Sequence, residues 1–501
     1  MKKITLLVFS IFFVASSAFA QDKTEGKKKK ETPKGHTDQN KFRQMKDVLA
    51  TPNDQHTASG APGHQYTQQK VDYVMDIRLE ELTNTIYGDE KITYHNNSKD
   101  NLEYLWVQLD QNMRADDSKT PLSKSGGAAI FSTPQDFKKN YMKEKSGFGF
   151  NITTVESNGK PLSHFINRTM MRINLPKPLA SGETFNFRIE WNYKINDINK
   201  DGGRSGLESF EDGNNNYTIA QFFPRLAVYN NVEGWQNMQF WGRSEWALEF
   251  GDYQVNLTVP NDHIVDATGV LQNEKEVLTR EQRKRWEKAR KTFDNPVLIV
   301  TQAEAEKAEK GRATKTKTWK FKAQNVRDFA FASSRKYIWD AMATNVNGKT
   351  VMAVSLYPKE GNPLWEEHST RAVATTLVEY SKLTFDYPYP KAISVHSERQ
   401  GMEYPMICFN FGRPNPDGTY SDRTKKGMIG VIIHEVGHNF FPMIVNSDER
   451  QWTWMDEGLN SFVEILAEDV YDPELFASNP AKQITRYMGG DQSNISPIMS
   501  Q

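Results

Sequence analysis

Apolar and polar residues alternate over much of the first half of the chain. The run VDYVMDIRLEE, which begins at Val71, has this two-residue period, and GDEKITYHNNS follows it after a turn. Similar runs recur to about residue 265, separated by turn-forming clusters such as SNGK and EDGNNN. A two-residue period places every second side chain on one face of a strand. The pattern therefore predicts an N-terminal domain, residues 66–335, built as an antiparallel β saddle or sandwich.

Two charged segments interrupt this pattern at about residues 272–310. EKEVLTREQRKRWEKARKTF and QAEAEKAEK are rich in Glu, Lys, Arg and Ala, which are good helix formers. We predict a helical hairpin inserted at the surface of the β-rich domain.

After about residue 335 the pattern indicates helices mixed with strands. RAVATTLVEYSKL is amphipathic and is followed by prolines, and AISVHSERQGMEYPMICFN is typical of two strands joined by a glycine turn. A further helix is predicted over KKGMIGVIIHEVGHNFF, ending before Pro442, and another begins near Asp456. Residues 336–501 are thus predicted to form a second domain, and the whole chain an α+β multidomain protein.

The first twenty residues have the features of a secretory signal peptide. A positive MKK precedes the apolar run ITLLVFSIFFVA, and small residues stand at Ala18 and Ala20. Residues 21–65 are polar and are predicted to be a flexible tail. No later stretch is long and apolar enough for a membrane span. We expect an exported protein, periplasmic or secreted, without an integral membrane segment after signal cleavage.

The net charge and the cysteine content bear on two possible functions, nucleic acid binding and thiol chemistry. Lys+Arg and Asp+Glu both number 63, so the net charge gives no reason to expect a nucleic acid partner. The only cysteine, Cys408, lies in the apolar stretch MICFN and is predicted to be a buried, inert thiol.

Two of the chain's ten histidines, His434 and His438, stand four residues apart in the predicted helix. Positions i and i+4 share a helix face, so both imidazoles can bind one ion. Glu435 is placed to act as general base, and Glu457, separated from His438 by 18 residues, is the expected third ligand. Together they predict one zinc ion per chain. Asp456 is a rival ligand that also suits a helix N-cap.

The alternative to a metal site is a pair of core histidines held by hydrogen bonds. Two imidazoles and a carboxylate on an otherwise apolar helix are costly to bury without such partners or a metal. The zinc site is therefore the favoured hypothesis.

These motifs resemble the aminopeptidase N family of gluzincins. The resemblance rests on HEVGH with EGLNSFVE after it, on GMEYP before it, and on VDYVMDIRLE and NVRDFAFASS. It implies a β-saddle N-terminal domain joined to a thermolysin-like α/β zinc peptidase domain. It also implies that Glu403 binds the substrate's free α-amine and that Gly401 and Met402 line the cleft through their backbone. Gln221 is similar to a substrate-binding glutamine of the β domain.

Glu464, seven residues past Glu457, lies two turns along the same predicted helix. It is either a hydrogen-bond partner of a zinc histidine or a solvated helix charge.

Three features depart from the family pattern. Tyr404 replaces the asparagine of the exopeptidase motif, and Phe223 stands where a second polar residue helps to hold the amine. Only 44 residues follow Glu457, and Tyr487 comes too early to be the family's oxyanion tyrosine. We therefore expect the catalytic domain to be truncated at its C-terminus. FFPR, residues 222–225, could instead shape an apolar first substrate pocket.

The predicted function is a zinc-dependent aminopeptidase that removes N-terminal residues from peptides with a free N-terminus. The alternative is a catalytically weak or inactive zinc-binding scaffold of the same fold. Glu435 discriminates between the two, because a scaffold has no need of a general base.

Overall fold

A computed structural model describes residues 51–120, 133–135, 147–242, 244, 246–445, 447–449, 452–477 and 485. The predicted signal peptide, residues 21–50 of the tail, and Tyr487 lie outside these residues. The chain forms two compact units, residues 1–66 and 67–501. In the first unit, residues 51–66 contain a single bridge between His56 and Pro62. The predicted division near residue 335 falls within the second unit and stays a prediction.

The strands of the second unit occupy both halves of the chain. They are β1 (Lys70–Glu80), β2 (Thr85–His95), β3 (Leu102–Gln108), β4 (Asn151–Ser157), β5 (Lys160–Pro161), β6 (His164–Asn167), β7 (Met170–Leu179), β8 (Thr184–Lys194), β9 (Gly206–Ser209), β10 (Asn215–Ile219), β11 (Arg225–Leu226), β12 (Tyr229–Asn230), β13 (Gly234–Trp235), β14 (Gly251–Pro260), β15 (Ile264–Ala267), β16 (Val270–Leu271), β17 (Val297–Val300), β18 (Thr316–Val326), β19 (Phe331–Ser334), β20 (Ile338–Val346), β21 (Lys349–Tyr357), β22 (Lys391–His396), β23 (Gly401–Tyr404) and β24 (Ile407–Asn410).

The α-helices that the structure describes are fewer. They are α1 (Ile198–Asp201), α2 (Glu274–Val277), α3 (Arg280–Ala289), α4 (Gln302–Glu309), α5 (Leu364–Leu383), α6 (Asp422–Gly437) and α7 (Glu457–Tyr471). None of the described helices has the length and apolar character needed to span a bilayer.

The alternating pattern of the first half corresponds to a large twisted sheet. Its eight strands run in the order β16-β18-β14-β1-β2-β8-β4-β5. In β1 every second side chain, from Val71 to Leu79, is buried against the core. The pairing is antiparallel except between β1 and β14, which are parallel. This one parallel pair departs from the predicted antiparallel arrangement, because alternation reports burial and not the direction of a distant partner strand.

The predicted helical insertion contains α3 and α4. Each begins with a capping box, formed by Thr279 with Gln282 and by Thr301 with Glu304. Between them the apolar run of β17 pairs antiparallel with β20. The segment therefore also adds an edge strand to the second large sheet, which the helical pattern did not indicate.

The second large sheet positions the candidate site. Its order is β17-β20-β21-β22-β24-β23, with parallel pairs at β21/β22 and β22/β24 and antiparallel pairs elsewhere. Helices α5, α6 and α7 pack on one another, and α5 and α6 also pack on this sheet. The predicted α+β fold class, with mixed sheets and helices, is confirmed.

Candidate metal centre

Helix α6 carries the histidine pair in a largely buried setting. Ser421 caps its N-terminus by accepting a hydrogen bond from the Thr424 amide. Apolar residues such as Ile432, Ile433 and Val436 face the core. The backbone amide of His438 still bonds to the His434 carbonyl, at 3.1 Å, before the chain leaves the helix. Both imidazoles therefore lie on one face, one turn apart, as the spacing predicts.

The structure brings His434, His438 and Glu457 together. The Nε2 atoms of the two histidines are 3.0 Å apart. Glu457 Oε2 is 3.3 Å from His434 Nε2 and 3.6 Å from His438 Nε2. Ligands of tetrahedral zinc, each about 2.0 to 2.2 Å from the ion, are separated by about 3.3 to 3.6 Å. The three donor atoms thus fit one face of a zinc tetrahedron.

The remaining ring nitrogens hold the imidazoles in this orientation. His434 Nδ1 bonds to Glu464 Oε2 at 2.8 Å. His438 Nδ1 donates to the Phe441 carbonyl at 2.8 Å, and Asp456 Oδ1 is equally near. Such partners fix the ring so that Nε2 presents its lone pair to a metal. Asp456 therefore lies on the Nδ1 side of His438, and it makes no capping hydrogen bond with α7.

Charge in the centre is balanced by protons when no metal is present. Burial lowers the pKa of His434, but hydrogen bonds to Glu457 and Glu464 outweigh it and raise that pKa to about 10. The two histidines in turn hold the pKa of Glu457 well below its usual range. A metal ion must displace these protons in order to bind. Its positive charge would then replace the charge that the protons supply.

A second acidic group borders the three ligands. Carboxylate oxygens of Glu403 and Glu435 and a ring nitrogen of His438 all lie within 4.8 Å of one another. Glu435 is buried, and its Oε2 has no hydrogen-bond partner among the described residues. Burial raises the pKa of Glu435 well above its usual range, and the nearby Glu403 carboxylate raises it further. Such a group favours taking up a proton.

Strand β23 places Gly401, Met402 and Glu403 beside this acidic group. Among the described strands, it stands at the edge of its sheet and pairs only with β24. A Cβ atom on Gly401 would lie 2.9 Å from Glu435 Oε1 and 3.1 Å from a methyl group of Val431. Glycine therefore leaves the room that the Glu435 carboxylate occupies, and the free edge of β23 can accept an added peptide strand.

Trp246 is a contact of the candidate site that the sequence did not indicate. Its indole Nε1 donates to Glu403 Oε1 at 2.8 Å, and its ring packs edge-on against Tyr404 at 5.2 Å. Tyr404 itself is buried and donates to the Arg204 carbonyl. No motif includes Trp246, because it approaches Glu403 across 157 residues of sequence.

The structure does not join Gln221 to this group. Gln221 is buried, its backbone carbonyl accepts from Gln111, and its side-chain amide nitrogen bonds to no described residue. Phe223 is fully buried against the rings of Phe222, Tyr73 and Tyr253. Phe223 is therefore a packed core residue, and the suggestion that FFPR shapes a substrate pocket stays a prediction.

The chain is similar to known proteins in structure but not in sequence. No protein-family model matches the sequence, and no curated protein has a similar sequence. Two crystal structures of an M1 zinc metallopeptidase from Deinococcus radiodurans, one of them of a mutant, match with a TM-score of 0.50 and 13% identity. They cover 88% of this chain and 79% (mutant) or 78% of that one. The chain has the fold of the M1 zinc metallopeptidases.

A third structure from Deinococcus radiodurans, of an M1 zinc metallopeptidase mutant bound to a Tyr-Ser-Ala substrate, matches with a TM-score of 0.48. It is 13% identical over 84% of this chain and 75% of that one. The two structures with a TM-score of 0.50 show a likeness of fold, and His434, His438 and Glu457 are a group compatible with binding zinc.

Proposed function

We propose that the protein is a zinc-dependent aminopeptidase that removes N-terminal residues from peptides. The observation that carries the proposal is the set of three donor atoms, 3.0 to 3.6 Å apart, with the carboxylate of Glu435 beside it. Neighbouring solved structures of the same fold are zinc metallopeptidases, which supports a peptidase of this kind.

His434, His438 and Glu457 would hold the ion. A zinc ion held by these ligands would supply Lewis-acid chemistry. Glu464 keeps the proton of His434 on Nδ1, so that Nε2 is available as a ligand. Because the Glu457 side chain is 54% exposed, solvent and substrate reach the ligand set from its side.

Glu435 moves the proton. Its carboxylate takes a proton from the water that attacks the scissile carbonyl and delivers it to the leaving amine nitrogen. Burial and the neighbouring Glu403 carboxylate raise the pKa of Glu435, so this group holds that proton more tightly than an ordinary carboxylate does. A protein that only bound zinc would have no use for such a group.

Glu403 would bind the substrate's α-ammonium group. It is 5% exposed and lies beside Glu435, so a peptide held there has its first carbonyl close to the base. A buried ammonium group needs an anionic partner, and that pairing limits cleavage to one residue from the end. The peptide backbone would extend along the free edge of β23, against Gly401 and Met402.

Export is part of the proposal and rests on residues 1–20 of the sequence. Peptide substrates would then be met outside the cytoplasm. The proposed β-rich domain, residues 66–335, would cover the catalytic domain, residues 336–501, through contacts such as Trp246 with Glu403.

Cleavage of matched peptides, free and N-acetylated, tests the proposal by mass spectrometry of zinc-loaded protein. Stepwise loss of single residues from the free peptides alone is expected. Glu435→Gln should bind zinc equally and cleave about 10²- to 10⁴-fold more slowly, because an amide cannot accept the proton. Equal cleavage of both peptide sets would indicate an endopeptidase and exclude the amine anchor. Bound zinc without any cleavage would favour the scaffold.

A further inference from the structure

Gly437, the glycine of HEVGH, stands in the last turn of α6, where glycine is unfavourable for a helix. The metal ligands do not explain why a glycine stands at this position. A Cβ atom at this position would lie 2.3 Å from the hydroxyl oxygen of Tyr380 and 2.4 Å from Asn460 Oδ1. Any other residue would force these two groups away from α6.

Tyr380 and Asn460 form a buried hydrogen-bonded pair in this gap. The Tyr380 hydroxyl donates to Asn460 Oδ1 at 2.8 Å and lies 3.1 Å from the Asn460 carbonyl. Asn460 Nδ2 donates to the His434 carbonyl at 2.9 Å. Neither side chain is exposed to solvent. The chain of bonds runs from α5, through α7, to the backbone of the first metal-binding histidine on α6.

Asn460 is placed midway between the two glutamates that contact the histidines. It lies three residues after Glu457 and four residues before Glu464, one helical turn from each. Its bond to α6 therefore fixes both the height and the rotation of α7 against α6. That register brings Glu457 to the Nε2 atoms and Glu464 to His434 Nδ1.

We propose that Tyr380, Asn460 and Gly437 form an interhelical lock that positions Glu457 and Glu464 against the histidine pair. Asn460 is the positioning residue of the lock. Gly437 has no side chain and therefore leaves the space that Asn460 occupies. The inference rests on the proposed zinc site, but the packing of the three helices can be measured without zinc.

The first test is the zinc affinity of Asn460→Ala, measured by competition with a chelator. We expect affinity about 10- to 100-fold weaker than that of the unsubstituted protein, the loss typical of removing an orienting partner. Tyr380→Phe keeps the ring and removes only the hydroxyl, so it should weaken zinc binding by a smaller factor and carries the test if Asn460→Ala does not fold.

The matched control is Asn96→Ala in the β-rich part of the chain. Asn96 is equally buried, and its Nδ2 donates to two backbone carbonyl oxygens, of Asp100 and Leu179. This variant should lower the melting temperature of the metal-free protein and leave zinc affinity within about twofold. Equal losses of zinc affinity in Asn96→Ala and Asn460→Ala would overturn the lock, since both would then report only general destabilisation.

A double-mutant cycle tests the role of Gly437. Gly437→Ala should weaken zinc binding and lower the metal-free melting temperature in the native background. In the Tyr380→Ala, Asn460→Ala background the clashing atoms, which are the Tyr380 hydroxyl oxygen and Cζ and Asn460 Oδ1, are gone, so the same substitution should have little further effect. Additive losses would overturn the proposal.

The cycle in melting temperature also separates the lock from the proposed function. If the unsubstituted protein binds no zinc, the zinc proposal fails while the coupling between Gly437 and the Tyr380–Asn460 pair is still measured. If zinc binds but the cycle shows no coupling, only the lock fails.

Discussion

At the scale of single residues, the candidate centre combines buried groups with one exposed group. His438 and Glu435 are 1% and 4% exposed, whereas the Glu457 side chain is 54% exposed. Glu457 is thus the ligand nearest solvent, and it would complete the coordination of an ion that enters the site. The buried groups cannot relax without moving the core around them, so a small displacement of the base should be felt in the chemistry.

Gly401→Ala is predicted to displace the base without disturbing the metal ligands. The new methyl group would lie 2.9 Å from Glu435 Oε1. We expect kcat/KM to fall on the order of a hundredfold, as for an ångström-scale misplacement, with zinc content unchanged. Steady-state kinetics and elemental analysis measure the two effects. Gly427→Ala is the control, because its Cβ atom would meet only Phe411 at 3.9 Å. Equal activity of the two variants would contradict the assignment.

At the scale of elements, buried polar groups connect the second large sheet to its helices. Asp340 on β20 accepts a hydrogen bond from the Tyr357 hydroxyl of β21 at 2.6 Å and another from Thr370 of α5. Burial raises the pKa of Asp340 to about 7, and these hydrogen bonds only partly oppose it. The strand, its neighbour and the helix are therefore joined around a carboxyl group that keeps its proton in the fold.

Asp340→Asn is predicted to remove a pH dependence of stability. The folded protein holds the Asp340 proton up to about pH 7, whereas the unfolded chain releases it near pH 4. Because the folded state binds more protons in this window, the stability contribution is complete below pH 4 and is lost as the pH rises towards 7. Denaturant unfolding of the metal-free proteins measures this effect. The free energy of unfolding of the unsubstituted protein minus that of the variant should fall by up to about 4 kcal/mol as the pH rises across the window. A difference that is constant with pH would refute this.

At the scale of the whole molecule, residues distant in sequence complete the candidate site. Trp246, between strands β13 and β14, donates to Glu403 on β23 and joins the part rich in strands to the part that carries the ligands. Its backbone amide also donates to Glu449, in the segment between α6 and α7, at 2.8 Å. The environment of the proposed amine anchor is therefore set by both parts of the chain.

Trp246→Phe is predicted to impair substrate binding more than turnover. The phenyl ring keeps much of the packing on Tyr404 but cannot donate to Glu403. We expect KM for peptides with a free N-terminus to rise about tenfold, with kcat and zinc affinity nearly unchanged, because a hydrogen bond to a charged group is worth about 1.5 kcal/mol or more. Trp319→Phe is the control, since the Trp319 Nε1 bonds to no described residue. An unchanged KM in Trp246→Phe would show that Glu403 needs no such support.

Local sequence patterns were sufficient to predict the fold class and the helix that presents the histidine pair. Period-two alternation and i, i+4 spacing are local properties, so they can be recognised in the sequence without knowing which elements pack together. The same reasoning predicted Glu457 from the length of chain needed to start a second helix. These residues meet in the structure, while the zinc ion and the catalysis stay predictions.

The distant groups that surround that helix could not be predicted from local patterns, because they are brought there by tertiary packing. The parallel pairing of β1 with β14, the burial of Phe223 and the contact of Trp246 with Glu403 each depend on which distant segments meet. The fit of Gly437 against Tyr380 and Asn460 likewise depends on three helices meeting at one height. Local patterns record which face of an element is apolar, but close packing of whole elements decides which side chains touch.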